Sequence, residues 1–81
     1  MASIPVLVVD PAPEWLNVYR DLLSGDERLE FFTTGSALEA LKILRDRQIE
    51  LVISELGGPN FNGVGFIEKI LDTWPSLKII I

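Results

Sequence analysis

The stretch IELVISELGGPNFNG, residues 49–63, decides the fold. Leu51, Val52 and Ile53 are bulky or branched apolar residues rising out of a charged segment, and Glu55 ends the run. Gly57, Gly58, Pro59, Asn62 and Gly63 then crowd into the next few positions. This is the pattern of a buried strand stopping abruptly in a loop. In an open parallel sheet, ligands and chemistry sit in the crevice beyond the carboxyl ends of the strands. A carboxylate at that point, Glu55, is therefore the first residue to account for.

Working outward, residues 4–9 are an apolar run without polar alternation, which predicts a strand buried on both faces. It stops at Asp10-Pro11, where Asp10 either caps the following helix or anchors a site at the strand end. Pro13 suits a first helical turn, because its missing N–H is not needed there. Trp15, Leu16, Tyr19, Leu22 and Leu23 recur at roughly helical spacing until Gly25 stops the helix. Residues 29–34 give a second strand of mixed polarity, suited to a sheet edge. Ser36 and Glu39 have capping-box spacing for a helix from Ala37 to about Arg47, with Leu38, Leu41 and Leu44 on its apolar stripe. Lys42, Arg45 and Arg47 fall late in that helix and complement its dipole.

Beyond the opening stretch, residues 64–74 predict a third helix with Phe66, Ile67, Ile70 and Leu71 inward, ended by Pro75. Residues 77–81, Leu-Lys-Ile-Ile-Ile, form a fourth strand. Strands alternating with helices of this length imply right-handed crossovers and a parallel sheet covered by helices on both faces. The expected fold class is α/β and three-layered, a (βα)3β unit whose strand order would be 2-1-3-4 with the first strand placed between the second and third. The fourth strand is then an edge, interrupted only by Lys78 in a row of Leu77, Ile79, Ile80 and Ile81. Such an edge, with uncovered sheet beside it, predicts a homo-oligomer, antiparallel at the strand if a twofold axis relates the copies.

Composition narrows the chemistry. The chain has 81 residues, 48% of them hydrophobic, which is one domain at most and argues against disorder. There is no cysteine and no histidine, so thiolate nucleophiles, imidazole bases and zinc fingers are excluded together. Seven Lys and Arg against twelve Asp and Glu give a net charge of −5 with no basic patch, which speaks against direct nucleic-acid binding. No apolar run approaches the roughly 18 residues of a membrane span. A signal peptide is absent too, and the sequence reads as cytoplasmic.

LVVDPAP at residues 7–13, TTGSALEAL at 33–41 and LVISELGGPNFNG at 51–63 together resemble the receiver domain of response regulators in two-component signalling, which implies a flavodoxin-like parallel sheet, here a partial one. The last segment is the most specific, with strand, acid, proline and Asn-Gly at the family's spacing. Receivers ordinarily continue through a helix, a strand and a further helix, so the resemblance implies a domain lacking its last helix-strand-helix over residues 1–81. In the family, an aspartate at the end of the third strand accepts a phosphoryl group from a histidine kinase; Glu55 stands in that place. Two adjacent acids after the first strand help hold Mg²⁺. Asp10 matches the first, but Pro11 occupies the second. The family's carbonyl ligand would be that of Gly57.

The resemblance thus implies a pseudo-receiver: a non-catalytic module acting by protein contact, with a histidine kinase or an output domain as its partners. The metal set of Asp10, Glu55 and Gly57 is vestigial and would bind Mg²⁺ weakly. A Mg²⁺-dependent phosphoacceptor and a self-associating fold fragment without signalling activity are the alternatives. Glu55 itself reads either as a solvated acid at a strand end or as a constitutive stand-in for a phosphorylated aspartate. Gly57 and Gly58 have the composition of a backbone anion nest, without a lysine to support it.

Overall fold

The computed structural model describes residues 3–57 and 61–81. The elements run β1 (Ile4–Val9), α1 (Pro13–Leu23), β2 (Leu29–Thr34), α2 (Ala37–Asp46), β3 (Leu51–Ser54), α3 (Gly63–Thr73) and β4 (Lys78–Ile80). All strand pairs are parallel, in the expected order β2-β1-β3-β4. The first strand in sequence is therefore central, hydrogen-bonded to β2 on one side and β3 on the other. This is why residues 6–9 carry no polar alternation: Val6, Leu7, Val8 and Val9 are all buried.

The two faces of the sheet are covered unequally. On one face Leu7, Val9 and Val52 pack against Ala40 and Leu44 of α2 and Phe66 and Ile70 of α3. Burying a side chain such as Leu7 or Ile70 is worth roughly 1.5 to 3 kcal/mol, so this cluster dominates stability. On the other face lie Val6 and Val8, with Leu51, Ile53 and Ile80 brought alongside by the parallel register. There α1 packs on β1 and β2. Leu51 and Ile53 stay half-buried and Ile80 is 52% exposed.

Several expectations about helix faces are corrected. None of the residues of α1 is buried, and Trp15 and Leu22 are exposed despite their helical spacing. Leu38 was expected on the buried stripe of α2, yet it is 76% exposed. The inward direction is set by Ala40 and Leu44 with Ala37 and Leu41, which leaves Leu38 about 100° round the helix. For the same reason Leu71 lies exposed beside the buried Phe66 and Ile70. The fourth strand is shorter than residues 77–81, since the Leu77 N–H turns back to the Trp74 carbonyl.

Helix ends follow local chemistry. Asp10 does not cap α1; Ala12 is its N-cap, without a side-chain bond, and Pro13 occupies the first turn. Ser36 Oγ accepts from the Glu39 N–H, but the reciprocal half of the capping box is replaced: the Ser36 N–H donates to Thr34 Oγ1. Arg47, expected only to complement the α2 dipole, also lays its guanidinium over the Phe32 ring at 4.7 Å.

Between α1 and β2, Arg28 grips Asp26 through Nε and Nη2, while its N–H donates to the same carboxylate. The side-chain hydrogen bonds from Arg28 hold Asp26 at about 2 instead of 3.8. A depressed carboxylate stabilises the fold above its unfolded value, and that contribution disappears as pH falls through the folded one. A carboxyl titration followed by NMR should therefore place the Asp26 midpoint near 2, and Arg28→Ala should return it towards 3.8. An unshifted midpoint in the parent would remove the ion pair from solution.

Candidate functional site

The carboxyl ends of β1 and β3 put Asp10 and Glu55 at one end of the sheet. Val9 pairs with Ser54, and the Glu55 N–H donates to the Val9 carbonyl at 3.0 Å, so the ladder runs one residue past β3 and fixes the backbone of Glu55. Asp10 continues β1 through its own N–H, which donates to the Thr34 carbonyl. It is 6% exposed, and its Oδ1 accepts from the Ala12 N–H at 2.9 Å, bending the chain into α1. Glu55 is exposed, with Oε1 accepting from the neighbouring Leu56 N–H at 3.1 Å.

The loop after Glu55 is tied back at both ends. Ser54 Oγ donates to the Glu55 carbonyl, and the Gly63 N–H donates to the Leu56 carbonyl at 3.0 Å. A Cβ on Gly63 would sit against the carbonyl oxygens of Glu55 and Leu56, so only glycine allows this approach. Asn62 caps α3, its Oδ1 accepting from the Gly65 N–H. Reading Gly63 only as one of the glycines of a loop thus understates it, since it packs directly on the backbone of Glu55 and Leu56. A glycine four residues past a proline shows no such role in sequence, because the contact is with backbone seven and eight residues earlier.

Asp10, Pro11, Ala12, Pro13, Glu14, Trp15, Glu55 and Gly57 line one open cleft of about 440 Å³. Glu14 and Trp15 are additions that sequence reasoning had not placed at this site. They arrive because the first turn of α1 follows Asp10 so closely. The nest reading of Gly57 with Gly58 falls partly outside the described residues. The described lining carries three carboxylates and no cation.

That donor set does not fit Mg²⁺. The ion demands near-octahedral oxygen ligation, Pro11 offers no side-chain oxygen, and one Asp10 oxygen is engaged by Ala12. Among the described residues no three acids come close enough to hold a metal. Glu55 presents an oxygen nucleophile, but stabilising a transferring phosphoryl group requires positive charge on its equatorial oxygens. The described lining supplies none.

Residues 6–81 match the response regulator receiver domain family. This chain belongs to that family. The receiver domain is 32% identical over 81 residues to a protein-glutamate methylesterase/protein-glutamine glutaminase of Rhizobium etli, covering 99% of this chain and 23% of the relative. It is 37% identical over 70 residues to the two-component response regulator ARR11 of Arabidopsis thaliana, covering 84% of this chain and 13% of that protein. Its fold superposes on the signal receiver domain of an HD domain-containing protein from Pseudomonas fluorescens Pf-5 with a TM-score of 0.87 at 26% identity, covering 98% of this chain and 57% of the other. The chain thus spans less than a quarter of the length of these curated relatives. Receiver domains are signalling modules, and in the methylesterases the similarity covers only a part of a longer chain. No helix among the described residues is long and apolar enough to cross a membrane.

Proposed function

We propose that this receiver domain is a non-catalytic module of a two-component or related signalling protein, acting through protein contact with Glu55 as a fixed negative charge at the phosphoacceptor place. The observation that carries the reading is Pro11, which stands beside the buried Asp10 where the metal site needs a second acid. Glutamate is also one methylene longer than aspartate, and a misplacement on the order of 1 Å can cost about a hundredfold in rate. On this reading a histidine kinase or an output domain meets the cleft as a docking surface in the cytoplasm, without direct nucleic-acid contact. Incubation with Mg²⁺ and acetyl phosphate or beryllofluoride should give no mass increase and no NMR shift change centred on Asp10, Glu55 and Gly57. A stoichiometric, Mg²⁺-dependent adduct would sink the proposal and establish the phosphoacceptor alternative.

A second reading concerns partners. Among the described residues nothing pairs with the outer edge of β4, where Ile80 is 52% exposed and is followed by Ile81, 70% exposed, beside the half-covered sheet face. Unpaired apolar edges drive pairing, and we infer that this chain self-associates through β4. Leu77 and Ile79 are half-buried against the core, so the pairing surface rests on the strand backbone with Ile80 and Ile81.

A further inference from the structure

The geometry points to a second docking face on this domain, the outer surface of α2 with its groove against α3, and we propose that its occupant is a protein segment with an apolar anchor flanked by carboxylates. The face lies apart from the acidic cleft, so its failure leaves the reading of Glu55 standing.

The cations of this chain form no run in the sequence, but the fold gathers them. Leu38, Lys42 and Arg45 are spaced i, i+4 and i+7 on α2 and so share one strip of its surface. Ala40 and Leu44 turn into the core, and all three residues of the strip are exposed. Two open clefts meet at Ser36 and Leu38. The cleft between α2 and α3, about 520 Å³, is lined by Leu41, Phe61 and Phe66 together with Lys69. The other, about 640 Å³, is lined by Lys42, Arg45 and Arg47, with Glu39 and Asp46 as its acids. This face thus holds four of the chain's seven cations and only two of its twelve acids. Glu68 and Asp72, near Lys69 on α3, line neither cleft. On a chain of net charge −5 that is a local reversal of sign.

Charge and the exposed leucine choose the occupant together. Among the described residues the one ion pair is Arg28 with Asp26, so Lys42, Arg45 and Lys69 have no carboxylate of their own. Arg47 is committed to the Phe32 ring. A free anion would satisfy the three remaining cations but leave Leu38, 76% exposed, in water at the rim of an apolar groove. A segment whose Leu or Phe covers Leu38 and enters the α2–α3 cleft, with Asp or Glu on either side, meets both demands. Grooves of this kind select amphipathic segments by their apolar anchors, while complementary charges set orientation and on-rate.

The test is an NMR titration of the isotope-labelled chain with a synthetic peptide of about ten residues, leucine and phenylalanine spaced as helix-face anchors among Asp and Glu. A twin peptide carries Lys in place of every acid. The acidic peptide should give saturable shifts centred on the amides of Leu38, Leu41, Lys42 and Lys69, with a Kd below ~1 mM that rises with added salt. The twin should leave those amides unmoved. Leu38→Asp, which a first helical turn tolerates, should weaken binding at least about tenfold, as loss of a central anchor does. Lys69→Glu should weaken it severalfold, and Leu22→Asp, 74% exposed on α1, should leave it unchanged. Shifts centred on the acidic cleft, equal binding of the two peptides, no saturable shift up to ~1 mM, or indifference to Leu38→Asp each overturns the proposal. A single-stranded oligonucleotide that binds this face regardless of Leu38→Asp makes it a polyanion site. Assembly of the chain with itself that Leu38→Asp abolishes makes the occupant a second copy. Either result overturns the proposal as well.

Discussion

Gly63→Ala is expected to lower stability by about 3 kcal/mol, at the upper end of what overpacking costs. The reason is the direct approach of Gly63 to the carbonyl oxygens of Glu55 and Leu56, which are backbone and cannot swing aside like a side-chain tip. Relief would need the first turn of α3 to shift, breaking the bond from the Gly63 N–H to the Leu56 carbonyl and loosening the Asn62 cap. For a domain with only about 5 kcal/mol in hand, that leaves about 2 kcal/mol and raises the unfolded fraction to a few per cent at room temperature. Gly25→Ala is the matched control, since a Cβ there meets nothing within 4 Å. Urea denaturation compares the two. Equal midpoints for Gly63→Ala and the parent would mean that the loop after Glu55 does not hold this conformation.

The second large effect is a gain. Glu55→Asp shortens the acid but leaves Pro11 without an oxygen, so by itself it should change Mg²⁺ affinity little. Glu55→Asp together with Pro11→Asp places three acidic side chains, with Asp10, round the cleft. Charge count and ligand number set affinity for hard cations, and the double variant should bind Mg²⁺ at least about tenfold more tightly than the parent, equivalent to about 1.4 kcal/mol. Trp15 lines the same cleft and reports binding by its fluorescence. Tight Mg²⁺ binding by the parent would show that its oxygen ligands have been misassigned.

The parallel architecture was legible because each strand differs in a way that its position demands. The unbroken apolar run of β1 belongs to the strand with neighbours on both sides, and the mixed polarity of β2 belongs to an edge. That Asp10 and Glu55 stand together at the strand ends was legible for the same reason, since each follows an apolar run that stops. Helix faces were read less well. Leucines at Leu22, Leu38 and Leu71 have the right composition for a core, but which of two adjacent apolar stripes turns inward depends on how far α1, α2 and α3 roll against the sheet. That angle is a property of packing rather than spacing. The Gly63 contact was illegible because it joins backbone to backbone, and the cleft wall of Glu14 and Trp15 because it depends on how tightly the chain bends after Asp10.

The unequal covering of the sheet also sets a hierarchy of local opening. Amide protection rises with the buried apolar contacts that must be broken for a segment to open. The strand β1 lies between two others with residues 6–9 buried, so its amides can exchange only when nearly the whole domain unfolds. Helix α1 buries no residue, and its side-chain link to β2 is the Arg20 bond to Thr33. It therefore detaches at far lower free energy than the strand it follows, carrying Glu14 and Trp15 with it. The acidic cleft accordingly has one wall anchored in the most protected part of the molecule and another that breathes, so a partner docking there as proposed would meet a fixed Glu55 backbone and a lip that adjusts to it.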